Sequence, residues 1–303
     1  MPQHSPFNDG RLLVVAFEGW NDAGEAASGL ARRIVDALGL SELRELDGER
    51  YVDYQFNRPS VGTTDDGERG IIWPRIVWYG PESSGALVTG AGGSTVARDV
   101  HVLVGPEPSR TWRGFSAEIL DLIDVHGIDA VVFVGAMLAD VPHTRPISVY
   151  VSSDNAGVRA AYEVERSNYE GPTGILGVLS DVVDRSGIPT ISLWASVPHY
   201  VHNAPSPKAT LSLLDKIESL TDVTVPRGSL VDDAAEWEEG IDALAADDED
   251  MASYIGQLEQ ARDTVDSPEA SGDAIAQEFE QYLRRRDGKD GGAAGEGPWR
   301  PQQ

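Results

Sequence analysis

Two apolar runs, Ile128 to Val141 and Ile188 to Val197, end in the same tripeptide: Val141-Pro142-His143 and Val197-Pro198-His199. Proline lacks the N–H that a central strand must donate, so both runs have to stop there and pass into loops. Open α/β sheets place ligands and partners in the crevice beyond the carboxyl ends of their parallel strands. If the two runs are parallel neighbours, the loops His143-Thr144-Arg145 and His199-Tyr200-Val201-His202-Asn203 share one rim of the sheet.

The rest of the first part alternates strand and helix signals. Leu12 to Phe17 has the continuous apolar character of a buried strand, and Asn21-Asp22 opens a helix through Leu30, Ile34 and Leu38 that Gly39 stops. Tyr51 to Phe56, Ile71 to Tyr79 and Ala86 to Thr89 alternate like antiparallel hairpin strands, with Pro74 placing one at an edge or bulge. Asp99 to Val104 reads as a core strand, and Phe115, Ile119, Leu122 and Ile123 set a helix from Trp112 to near Gly127. After a short strand at Ile147 to Val151, Thr173 is expected to cap a helix carrying Ile175, Leu176, Leu179, Val182 and Val183, closed by Gly187. Lys208 to Leu220 supplies another, with Leu211, Leu214 and Ile217 inside. This alternation predicts an α/β fold whose mainly parallel mixed sheet carries helices on both faces.

Charge marks a boundary. Between Asp232 and Glu280 there are 17 acidic residues and one basic residue, Arg262, within a chain of net charge −26. Here only helical stripes remain: Trp237, Ile241 and Leu244; Met251, Tyr254, Ile255, Leu258 and Val265; Ile275, Phe279, Tyr282 and Leu283. We therefore expect a core over 1–225, an acidic helical extension over 226–286 and a Gly-rich disordered tail over 287–303. With 50 acidic against 24 basic residues the chain repels phosphate backbones and anionic lipid, so neither nucleic acid nor membrane is an expected partner. No cysteine is present, which removes disulfides and thiolate metal sites, and no secretory leader pattern is visible. The expected compartment is cytoplasmic.

No motif names a reaction. A Gly-x-Ser-x-Gly elbow is missing, and Thr89-Gly90-Ala91-Gly92-Gly93-Ser94 lacks both the dinucleotide spacing and the lysine of a phosphate loop. His199 and His202 sit three apart between Pro198 and Pro205, in a loop rather than on a metal-binding helix face. No catalytic residue, metal or cofactor is expected. What remains is a polar rim: Trp20 and Asn21 after the first strand, Arg110 after the strand ending at Val104, and His143, Arg145, His199 and His202 after the twin runs. Two readings stay open. The rim holds an anionic ligand such as a nucleoside or phosphate compound, or it fixes loops and subunit contacts. Gly171-Pro172-Thr173-Gly174 has the same fork: free backbone N–H groups for an anion, or tight packing with Thr173 as cap.

Four segments together resemble the proteasome assembly chaperone family in its actinobacterial branch. They are Phe17 to Glu25; Leu103 to Trp112; Val134 to Met137 with Val141 to Pro146; and Gly171 to Gly177 running on to Ala195 to Tyr200 and Pro205 to Lys208. The resemblance implies a three-layer α/β/α domain of the phosphorylase/hydrolase-like type and a homo-oligomer, with trimers among bacterial and archaeal members. It also implies a non-enzymatic chaperone or scaffold with proteasome subunits as partners. Family members docking through their tail use a hydrophobic-Tyr-x ending, whereas this sequence ends Trp299-Arg300-Pro301-Gln302-Gln303.

Overall fold

A strand covered on both faces must be apolar at every position, and Leu12 to Phe17 are all fully buried. In the computed structural model, which describes residues 5–64, 67–82, 87–89, 95–97 and 99–265, this run is the centre of the sheet. The strands are β1 (Leu12–Glu18), β2 (Ser41–Glu45), β3 (Ser60–Thr63), β4 (Arg69–Ile72), β5 (Val77–Gly80), β6 (Leu87–Thr89), β7 (Thr95–Ala97), β8 (Val100–Pro106), β9 (Ala130–Ala139), β10 (Val149–Ser152) and β11 (Thr190–Pro198). The helices are α1 (Pro6–Asp9), α2 (Ala26–Leu38), α3 (Gly48–Tyr51), α4 (Trp112–His126), α5 (Ala156–Tyr162), α6 (Ile175–Arg185), α7 (Pro207–Thr221), α8 (Leu230–Ala246) and α9 (Glu249–Val265).

Seven strands form one sheet in the order β10-β11-β9-β1-β8-β5-β2. Its middle, β11-β9-β1-β8, is parallel, and the pairs β10-β11, β8-β5 and β5-β2 are antiparallel. Side chains alternate across β1: Leu12, Val14 and Ala16 join the core under α2 and α7, and Leu13, Val15 and Phe17 join the one under α4 and α6. This is the three-layer α/β/α fold that alternation and resemblance predict. The twin runs are parallel neighbours with Ala139 opposite Pro198, so the His143 and His199 loops leave the same edge.

Local chemistry explains the departures. Tyr51 to Phe56 is not a strand: Tyr51 closes α3, the Asp53 carbonyl accepts the Phe56 and Asn57 N–H groups, and its carboxylate accepts that of Gln55. Phe56 is left 84% exposed, the reverse of a core alternation. The Ile71 to Tyr79 run breaks around Pro74 into β4, which pairs only with β3, and β5, which joins the main sheet. β2 escapes an apolar pattern because, as the outer strand, it pairs on one side only and its side chains are mostly exposed. The loop Gly90 to Ser94, the stripe from Ile275 to Leu283 and the tail lie outside the described residues.

α8 packs on α7 and α9 on α8. Leu244 is 66% exposed; the inward positions of α8 are Ala234, Ile241 and Ala245, two small residues and one large aliphatic one. In α9 only Ile255 and Leu258 are buried.

Gly105, at the carboxyl end of β8, shows how tightly this edge is built. A Cβ there would stand 2.3 Å from the Arg75 carbonyl oxygen and 2.7 Å from Ile76 Cα, backbone atoms leading into β5. Gly105→Ala is therefore expected to lower stability by about 2 kcal/mol, read as a fall in the urea midpoint. An unchanged midpoint would show that the two strands can part without cost.

Candidate functional site

The rim beyond the parallel strands divides into two separate constellations. At the ends of β1 and β8, Asn21 is 1% exposed, and its Nδ2 donates to Glu107 Oε1 at 3.0 Å. The same oxygen accepts the Ile175 N–H at 3.2 Å, so Glu107 caps α6 from across the sheet. Thr173 is not the cap: Gly174 occupies that position, and no side chain of its own segment closes the helix. A Cβ at Gly174 would meet Asn21 Oδ1 at 2.8 Å and Glu107 Oε1 at 3.0 Å, so either side chain would have to shift to admit one. The N–H that an anion would use is thus already held by a carboxylate of this chain. Next to Asn21, Asp22 accepts the Ala27 and Ser28 N–H groups at 2.8 and 3.1 Å and opens α2; burial pushes its carboxyl above the usual range.

The second constellation gathers around His143, whose side chain is fully buried. Tyr200 Oη accepts the His143 backbone N–H at 2.7 Å and lies 2.8 Å from Nδ1. Nε2 lies 3.0 Å from Asp242 Oδ1 of α8, and the Trp237 ring stands edge-on to the imidazole. A Tyr200 hydroxyl that accepts the backbone N–H has its own proton free to donate to Nδ1, which leaves the Nε2 proton for Asp242. Burial pushes the Tyr200 phenol up to about 12, so it stays protonated and keeps that role. Lys208, at the start of α7, donates to the His143 carbonyl and to Glu238 of α8.

Further out, Arg145 holds Asp263 with a bidentate pair at 2.8 and 2.9 Å, and its Nη1 reaches Glu259 at 3.3 Å. Thr144 also donates to Glu259. His199 Nδ1 lies 3.4 Å from Asp140 Oδ1 without hydrogen-bond geometry, and its ring meets those of Tyr200 and Tyr254 edge-on. His202 is exposed, with Nδ1 2.8 Å from the His199 carbonyl inside its own turn. Arg110 stands apart, paired with Asp53 at 3.1 Å, and Trp20 is 53% exposed beside the first constellation.

Of the seven rim residues, the structure joins His143, Arg145 and His199 in one surface, puts Asn21 with Trp20 in another, and leaves Arg110 and His202 outside both. Tyr200, Lys208 and Asp242 organise the second surface without having been singled out as candidates. The one local signal for Lys208 is Ser206-Pro207 ahead of it, where Ser206 caps α7 and Pro207 takes its first position. Among the described residues, no group of three or more His, Cys, Asp or Glu is arranged to hold a metal ion. No described helix is long and apolar enough to cross a membrane.

The chain matches the model of the PAC2 family over residues 16–245. A PAC2 family protein from Streptomyces avermitilis is 41% identical, covering 81% of this chain and 99% of its own, with a TM-score of 0.72. A proteasome-assembly chaperone homologue from Mycobacterium tuberculosis is 39% identical, covering 80% of this chain and 99% of its own, with a TM-score of 0.69. An archaeal proteasome activator from Pyrococcus furiosus, 15% identical over 80% of this chain and 96% of its own, shares the fold at a TM-score of 0.59. No match was found among curated proteins.

Proposed function

This chain belongs to the PAC2 family, and on that footing we propose that it is a non-enzymatic, cytoplasmic chaperone or scaffold that binds proteasome subunits as a homo-oligomer such as a trimer. The observation that carries the reading is the 39% identity to the proteasome-assembly chaperone homologue of Mycobacterium tuberculosis across 99% of that protein. The rim supports a protein partner over a small anion. Arg145 and Arg110 already hold carboxylates of this chain, and His143 is sealed beneath Trp237 and Tyr200. We also propose that the core ends near residue 225 and that the helices beyond it are a separate acidic extension laid against it.

Affinity capture of the full chain from the cells that make it, followed by mass spectrometry of the intact complexes, tests the reading. Proteasome subunits are expected in the captured material, together with species at multiples of the 32.6 kDa chain mass. Capture of the chain alone, as a monomer, would overturn it.

A further inference from the structure

The PAC2 match reaches residue 245, one residue short of the end of α8, and α9 follows beyond it. Where α9 lies is informative. It carries four acidic residues, Glu249, Asp250, Glu259 and Asp263, against one basic residue, Arg262, and only Ile255 and Leu258 are buried. Besides its packing on α8, it makes polar and aromatic contacts to the rim: Asp263 and Glu259 on Arg145, Glu259 on Thr144, Tyr254 edge-on to His199 and Tyr200, and the Tyr254 hydroxyl 3.5 Å from Asp140. Two buried apolar side chains are a small anchor for a helix of 17 residues, whereas a guanidinium fork holding a carboxylate in bidentate geometry is a recognition contact.

We propose that the rim of Arg145, His199 and Tyr200 is a docking site for an acidic helical segment of a protein partner, and that α9 occupies it in cis as a built-in competitor. The cis contacts define what the site accepts. An aromatic ring enters at the position of Tyr254 between His199 and Tyr200, and carboxylates five and nine residues later, at the positions of Glu259 and Asp263, reach Thr144 and Arg145. The partner thus presents an acidic helix with one aromatic anchor, and it gains access when α9 swings away. α8 stays in place, because Ala234, Ile241 and Ala245 are buried where it packs on α7.

The inference rests on the reading of this chain as a protein that binds protein partners, but its test uses no proteasome, so the two can fail separately. The probe is a fluorescent peptide with the sequence of residues 249–265, titrated into full-length protein. In the double variant Glu259→Lys with Asp263→Lys, two cations face Arg145, and hydrogen exchange over α9 should rise at least tenfold as the helix is released. The peptide is then expected to bind the double variant at least tenfold more tightly than wild type, and adding Arg145→Glu should return binding to the wild-type level or below. A peptide carrying lysine at the two acidic positions should bind neither protein. Unchanged protection of α9, equal peptide affinity for wild type and double variant, or binding that survives Arg145→Glu would each overturn the proposal.

Discussion

Replacing His143 by alanine is expected to lower the stability of the chain by about 3 kcal/mol, the sum of a cavity and of polar groups left without partners. The imidazole is fully buried and touches Tyr200, Trp237 and Asp242 at once. Without it the Tyr200 hydroxyl keeps the backbone N–H at 2.7 Å but loses the acceptor for its own proton. The size of this effect should not come from the Asp242 contact. That carboxylate is more than half exposed, and exposed ion pairs contribute about 0–1 kcal/mol, so Asp242→Ala is expected to be mild. Urea denaturation of the two variants separates the contributions. Equal losses would mean that the charge contact, and not the sealed aromatic cluster, holds α8 to the rim.

Acidification should produce the second large effect, through a site remote from the rim. Trp78 Nε1 donates to His101 Nδ1 at 3.1 Å, so that nitrogen must carry no proton in the folded protein. His101 is buried, and burial pulls its pKa from 6.5 to about 4; the neighbouring His126 and Arg11 add to the shift and Asp99 opposes it. Above pH 6.5 the imidazole is neutral in both folded and unfolded chains, and its contribution is fully present. Between 6.5 and 4 the unfolded chain takes up a proton that the folded one refuses, and stability on the order of 3 kcal/mol is lost. Asp22 and Glu18 work in the opposite direction, because burial raises both carboxyls and their protonation in acid favours the folded state. Comparing wild type with His101→Gln isolates the histidine: the urea midpoint should fall less from pH 7 to pH 4 in the variant. Parallel curves would refute the assignment.

Much of the fold was legible because its signals are local. The continuous apolar run at Leu12 to Phe17, the stop at Gly39, the helix from Trp112 to His126 and the proline-terminated ends of β9 and β11 all follow from spacing and backbone chemistry within a few residues. The elements that went unread or were read otherwise are those whose surroundings override composition. β2 is polar because it is the outer strand, and Tyr51 to Phe56 turns because Asp53 offers its own oxygens to the following N–H groups. Thr173 yields the capping role to Glu107, which is 68 residues before Ile175 in the chain.

The same distinction governs the rim. Proline at 142 and 198, each closing a largely buried apolar run, determined where the His143 and Arg145 loop and the His199 loop would emerge. Which group each of these side chains meets was decided only by tertiary structure. His143 finds Asp242 across 99 residues and Arg145 finds Asp263 across 118, in a chain that offers 50 carboxylates to 24 Lys and Arg. With that many acidic groups, no local spacing rule selects one pairing over another. The packing of α8 on α7 and of α9 on α8 makes the selection, and it turns a set of polar residues at a strand edge into a surface that this chain covers with its own acidic helix.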